Sequence, residues 1–132
     1  MQESSKQVIK TGKAPKAIGP YSVGIKTDRF IFTAGQLGII PDTGNIIDGG
    51  IENETRQALT NIQNILEEAG SSLHWVVKTT VFLRDMNEFS QMNAVYAEFF
   101  TENHPARSTV QVAALPKNGA VEIEAIALIG HP

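Results

Sequence analysis

Residues 120–129 read Ala-Val-Glu-Ile-Glu-Ala-Ile-Ala-Leu-Ile and decide the fold class of this chain. Alternate residues of a strand point to opposite faces of a sheet. One face of this predicted strand is entirely apolar and consists of Val121, Ile123, Ala125, Ala127 and Ile129. The other face carries two glutamates followed by two apolar residues, Glu122, Glu124, Ile126 and Leu128. A strand that is largely apolar on both faces predicts, in so small a protein, an oligomer whose interface covers the second face of the sheet.

The rest of the chain alternates between strand and helix patterns. Segments rich in β-forming residues predict strands at 7–11, 21–26, 29–34, 74–84 and 107–113. Apolar residues at helical spacing predict one helix from about residue 51 to residue 69, ended by Gly70. A second helix is expected to be capped by Asp85 or Asn87 and to end before Pro105. Each helix has one apolar side, so the pattern predicts an α+β fold: a single mixed sheet with two helices packed on one face.

The composition limits the classes of function. The 132 residues fit one domain, 1–132, and contain no cysteine, which excludes disulfides, thiolate metal sites and a cysteine nucleophile. With 11 basic and 14 acidic residues the formal net charge is −3, so nucleic acid is not the expected partner. No segment has the roughly 20 apolar residues of a membrane span. We expect a cytoplasmic protein, with import into mitochondria or another organelle as the alternative that the N-terminal lysines suggest.

Arg107 and Glu122 are the main candidates for chemistry. Arg107 follows Pro105 at the start of a predicted strand, where its planar fork suits a substrate carboxylate. An arginine that extends into solvent or pairs with a nearby carboxylate is the alternative. Glu122 lies on a strand that is otherwise apolar, and the cost of desolvating its charge would raise its pKa and favour proton transfer. A strand end in water, or an internal salt bridge, explains Glu122 equally well.

Four further residues are weaker candidates. Tyr21 follows the stiff Ile18-Gly19-Pro20 segment, and Gly35 would allow a ligand to approach the backbone. An ordinary strand tyrosine and a turn glycine are the alternatives. Asn93 lies within the second helix and would otherwise face solvent. Thr109 would be a nucleophile only beside a base, and none is evident. The histidines His74, His104 and His131 lack the spacing of a metal site, so no metal is expected.

At these positions the chain strongly resembles the RidA (YjgF) family, the reactive-intermediate deaminases also known as the L-PSP family. The resemblance rests on motifs in the same order and spacing from about residue 7 to residue 129. They are Ala17-Ile18-Gly19-Pro20-Tyr21-Ser22, Thr33-Ala34-Gly35-Gln36, Val77-Lys78-Thr79-Thr80-Val81-Phe82-Leu83, Asn93-Ala94-Val95-Tyr96, Pro105-Ala106-Arg107-Ser108, Val112-Ala113-Ala114-Leu115-Pro116-Lys117 and Val121-Glu122-Ile123-Glu124-Ala125-Ile126-Ala127.

The resemblance implies a chorismate-mutase-like fold that assembles as a homotrimer with a central barrel and active sites between subunits. It implies hydrolysis of 2-iminopropanoate, 2-iminobutanoate and enamines such as 2-aminoacrylate, released by pyridoxal-phosphate enzymes, to 2-keto acids and ammonia. No cofactor is implied for this chain. A translation inhibitor or endoribonuclease acting on single-stranded RNA is one alternative, and a chaperone-like ligand-binding module is another.

The resemblance also implies roles for individual residues, because the family's site residues match positions of this chain. Arg107 matches the arginine that binds the substrate carboxylate, and Glu122 matches the acid that orients or activates water. Tyr21, Gly35 and Asn93 match residues that line the site. Some relatives have cysteine at the position of Thr109 and serine at that of Ala34. The first change is expected to be tolerated because Thr109 keeps its backbone groups near the substrate, and the second puts substrate preference in doubt.

Overall fold

The computed structural model describes residues 6–130, which form seven strands and two α-helices. The strands are β1 (Gln7–Ile9), β2 (Gly24–Lys26), β3 (Phe30–Thr33), β4 (Gln36–Leu37), β5 (Val76–Leu83), β6 (Ala106–Gln111) and β7 (Val121–Leu128). The helices are α1 (Ile51–Glu68) and α2 (Phe89–Phe99). His131, one of the scattered histidines, lies outside the described residues. Within residues 6–130, none of the helices has the length and apolar character required to cross a membrane.

All seven strands belong to one sheet. The order is β1-β2-β3-β7-β5-β6, and β4 pairs with the other end of β7. β5 and β6 are parallel, and the other strand pairs are antiparallel, so the sheet is mixed. Parallel neighbours need a crossover connection, and α2 provides it between β5 and β6.

Both helices pack on the same face of the sheet. The apolar stripe of α1 is fully buried at Ala58, Leu59, Ile62, Ile65 and Leu66, and packs against β7, β3 and β4. The alternation predicted for the last strand is confirmed: its odd-numbered residues are buried beneath the helices, and its even-numbered residues face the other side. The prediction of an α+β fold with one mixed sheet and two helices on one face is therefore confirmed.

The second face of the sheet, which we call the open face, carries no helix. Cross-strand partners share a face, so the pairing of Phe30 with Leu128 and of Phe32 with Ile126 places four apolar side chains there. Phe30, Phe32, Leu128 and Val110 are each at least 36% exposed. An apolar surface of this kind on a small chain indicates an interaction surface.

Several predicted boundaries are wrong. Tyr21 lies in a loop rather than in a strand, because β2 begins only at Gly24, after the turn in which the Tyr21 N–H donates to the Gly19 carbonyl at 2.8 Å. The strand predicted at 29–34 ends at Thr33, and the two-residue β4 that follows was not predicted. A strand of two residues is too short to show alternation. The cap predicted for the second helix is also wrong. Asp85 caps the short 3₁₀ turn Met86–Glu88, where it accepts from the Asn87 N–H at 2.9 Å, and α2 follows directly after Glu88 without a side-chain cap.

Candidate active site

The two principal candidates lie on opposite faces of the sheet. On β5, Thr79 is opposite Arg107 of β6 on one side and opposite Ala125 of β7 on the other. These three residues therefore share a face, which is the face covered by the helices. Glu122 is three positions from Ala125 on β7, and residues an odd number of positions apart point to opposite faces of a strand. Glu122 therefore belongs to the open face. Within one chain, the guanidinium and the carboxylate cannot contact the same small molecule.

Arg107 is held against one side of α2. Its Nη1 donates to Asn93 Oδ1 at 2.7 Å, and its Cζ lies 4.6 Å from the centre of the Tyr96 ring and 5.4 Å from that of Phe89. Phe89, Asn93 and Tyr96 are spaced at i, i+4 and i+7, so they lie along one side of the helix. Asn93 therefore faces the site rather than solvent.

No acidic side chain forms an ion pair with Arg107 among residues 6–130. The alternative of a structural salt bridge is thereby removed for the described part of the chain. Two residues further along β6, the Thr109 hydroxyl oxygen is buried and has no hydrogen-bond partner within that part. A half-buried cation beside an unsatisfied hydroxyl is suited to an anionic ligand with a second polar group.

Glu122 lies in a cleft of about 770 Å³ near the junction of β4 and β7. Tyr21, Ala34 and Gly35 also line this cleft. A Cβ atom added to Gly35 would be 2.8 Å from Glu122 Cδ, so the absence of a side chain at this position is what lets the carboxylate rest on the backbone. The volume is within the usual range of small-molecule sites, roughly 300–1,000 Å³.

The electrostatic setting of Glu122 favours its protonated form. Burial raises the pKa of this carboxyl above its ordinary value of 4.5, and the negative charge of Glu124 raises it further. A carboxyl group whose pKa is raised towards neutrality is better suited to exchange protons with a substrate or a water molecule.

Two buried side chains of α1 hold the walls of this cleft. The Asn61 amide donates to the carbonyls of Leu37 at 3.2 Å and of Ile39 at 2.9 Å. Glu54 accepts from the backbone N–H of Ala120 at 2.8 Å, just before β7 begins. The helix thereby fixes both β4 and the start of the strand that carries Glu122.

The structure thus divides the predicted residues into two groups. Arg107, Asn93 and Thr109 lie on the helix-covered side, whereas Glu122, Gly35 and Tyr21 surround the cleft. Sequence reasoning missed Phe89, Tyr96 and Asn61 as site-building residues. The helical spacing of Phe89 and Tyr96 relative to Asn93 is the signal in the sequence that could have identified the first two.

The comparisons with known proteins agree with this architecture. The model of the endoribonuclease L-PSP family matches residues 11–129. A 2-iminobutanoate/2-iminopropanoate deaminase of Bos taurus is 52% identical over 130 residues, which cover 98% of this chain and 95% of the relative. This chain belongs to the RidA/L-PSP family. The human protein of the same name is a further relative within it, at 48% identity over 98% of this chain and 95% of its own length.

Solved structures of RidA/L-PSP proteins have the same fold. The crystal structure of RidA from the Antarctic bacterium Psychrobacter sp. PAMC 21119 gives a TM-score of 0.90 at 45% identity, covering 93% of this chain and 99% of that one. Escherichia coli TdcF with bound serine gives 0.90 at 43% identity, covering 95% of this chain and all of TdcF (100%).

Proposed function

We propose that this protein is a 2-iminobutanoate/2-iminopropanoate deaminase, an enzyme that hydrolyses reactive imines and enamines such as 2-aminoacrylate. The observation that carries the proposal is the half-buried guanidinium of Arg107, which has no acidic partner among residues 6–130. Such a group is a strong site for the carboxylate that every 2-imino acid carries. Relatives of about 50% identity over nearly the whole chain are named 2-iminobutanoate/2-iminopropanoate deaminase.

The reaction adds water across the C=N bond. Arg107 pairs with the substrate carboxylate and fixes the adjacent imine carbon, and orientation of this kind lowers the barrier for an electrophile that is already reactive. Glu122 accepts a proton from the attacking water as the C–O bond forms. Glu122 then gives this proton to the imine nitrogen, which yields a carbinolamine. It next takes the proton of the new hydroxyl group and passes it to the same nitrogen, the C=O double bond forms as the C–N bond breaks, and ammonia and the 2-keto acid leave. The residues present require neither a cofactor nor a covalent intermediate for this sequence.

A complete site needs two copies of the chain. Arg107, Asn93 and Thr109 would come from one protomer, and Glu122, Gly35 and Tyr21 from its neighbour. The apolar open face supports association, and a heterologous contact that closes by rotation yields a ring. The ring that we propose is a homotrimer whose open faces line a central barrel. Residues 1–132 would form the single domain of each protomer.

The functional test supplies the imine in situ. An amino-acid oxidase or a serine or threonine dehydratase generates it, and release of the keto acid is followed with and without this protein. Acceleration by the wild type, lost in Arg107→Ala while the oligomer remains intact, is the expected result. A wild-type protein that does not accelerate keto-acid release would refute the deaminase function.

The family model's description supports one second candidate, cleavage of single-stranded RNA. The net charge of −3 disfavours it, because RNA binding normally depends on positive charge and stacking aromatic residues. Incubation of the purified protein with a labelled single-stranded RNA separates the two. RNA cleavage by the wild type that is lost in Arg107→Ala, without imine hydrolysis, would favour this candidate. RNA cleavage that survives Arg107→Ala would indicate a separate activity. We further propose a cytoplasmic location, which a fluorescent fusion would test.

A further inference from the structure

We propose that Thr79 and Tyr96 are positioning residues that orient Arg107 for the substrate carboxylate. The inference rests on the proposed function and assigns a task to a hydrogen-bonded pair in the core. Tyr96 is 5% exposed and Thr79 1% exposed, and their hydroxyl oxygens are 2.7 Å apart. Neither hydroxyl is within the cleft that holds Glu122.

Strand pairing places the pair beside the arginine. Thr79 on β5 is directly opposite Arg107 on β6, so both side chains point to the same face of the sheet. The Thr79 hydroxyl therefore anchors the Tyr96 hydroxyl next to the arginine. Because that hydroxyl is at the tip of the ring, the hydrogen bond determines where the ring lies.

The ring then presents its face to the cation. The Arg107 Cζ is 4.6 Å from the centre of the Tyr96 ring, well within the range of a cation–π interaction, which extends to about 6 Å. Burial raises the pKa of Tyr96 above its ordinary value of 10.0, so the phenol that bonds to Thr79 keeps its proton. Phe89 adds a second aromatic ring, at 5.4 Å.

This arrangement limits the ways in which the guanidinium can turn. One of its five N–H donors is taken by Asn93, and the Tyr96 ring beneath Cζ restricts how the guanidinium can turn. A carboxylate is bound best by two parallel N–H groups, so restricting the guanidinium in advance lowers the cost of binding. The pair thus acts on substrate affinity through Arg107 without touching the substrate.

The test uses variants that remove the anchor or the ring. Tyr96→Leu removes the ring and is expected to raise KM for the imine and Kd for 2-oxobutanoate by about 3- to 30-fold, with little change in kcat. Tyr96→Phe and Thr79→Val remove the hydrogen bond and should each raise both constants by about 2- to 5-fold. The double variant Thr79→Val/Tyr96→Phe should raise KM and Kd no more than Thr79→Val alone, because either change already removes the one hydrogen bond between the two hydroxyls.

Phe100→Leu is the matched control. Phe100 is equally buried, and its ring centre is 4.6 Å from that of Tyr96, but the described rings that lie against the Arg107 guanidinium are those of Tyr96 and Phe89. It should lower the melting temperature and leave KM and Kd unchanged. Equal increases in Kd for Phe100→Leu and Tyr96→Leu, or no increase for Tyr96→Leu in a folded oligomer, would overturn the positioning role.

Calorimetric binding of 2-oxobutanoate separates this inference from the proposed function. If the wild type binds the keto acid but does not hydrolyse imines, the deaminase function fails and the positioning role is still decided by the Kd values. If the wild type neither binds nor hydrolyses, both are overturned.

Discussion

Mixing two inactive variants should restore activity, because the proposed site takes Arg107 from one chain and Glu122 from its neighbour. Arg107 and Glu122 are on opposite faces of the sheet and on strands separated by β5. With about 4.8 Å between strands and about 3.3 Å per residue, their backbones are roughly 10 Å apart across the sheet and about 10 Å apart along it. The imine carbon is bonded directly to the substrate carboxylate carbon, so one chain cannot supply both groups.

The expected magnitude follows from counting sites. Arg107→Ala and Glu122→Gln are each expected to be inactive. When equal amounts are unfolded, mixed and refolded, each site takes its arginine from one protomer and its glutamate from the next. The arginine of a site is intact with a probability of about one half, and so is its glutamate. In a closed ring about one quarter of the sites should therefore be complete, which gives about one quarter of wild-type activity.

The assay is keto-acid release from imine generated in situ, with the oligomer mass measured by sedimentation. The control mixes wild type with the Arg107→Ala/Glu122→Gln double variant. Its activity should fall from about one half to about one quarter of wild type after subunit exchange. Failure to regain activity in mixed oligomers of native mass would refute the shared site, as would no fall in the control.

Four further results are expected. The acidic limb of the rate profile should lie above the ordinary carboxyl value of 4.5, because activity needs ionised Glu122 and is lost as pH falls through its raised pKa. Glu124→Gln should move that limb to lower pH, and an unmoved limb would exclude the charge effect. Gly35→Ala should lower kcat at least about tenfold, since the new methyl would displace the Glu122 carboxylate and misalign the reacting groups; unchanged kinetics would contradict the contact. Asn61→Leu should reduce the free energy of unfolding in urea by about 1–3 kcal/mol by orphaning two carbonyls, and an unchanged midpoint would show that neither bond stabilises the fold.

The sequence by itself determined the fold class and the faces of the last strand. Residues 121–128 alternate with a period of two, and the side-chain direction of a strand follows from backbone geometry alone. The stripe of α1 likewise depends on local spacing. The motifs that resemble the RidA family also singled out Arg107 and Glu122, which composition and spacing had left with equally good structural explanations.

Only the tertiary structure decided that these two residues are on opposite faces, because strand register depends on pairing between segments distant in sequence. Neighbouring positions along the chain do not reveal that Thr79 lies opposite Arg107, or that α2 places Asn93 and Tyr96 against its guanidinium. The two-residue β4 also depends on tertiary contacts, because Asn61 of α1 holds the backbone carbonyls of Leu37 and Ile39. Long-range pairing, rather than local propensity, therefore divided the candidate site into the two halves that a neighbouring subunit is proposed to join.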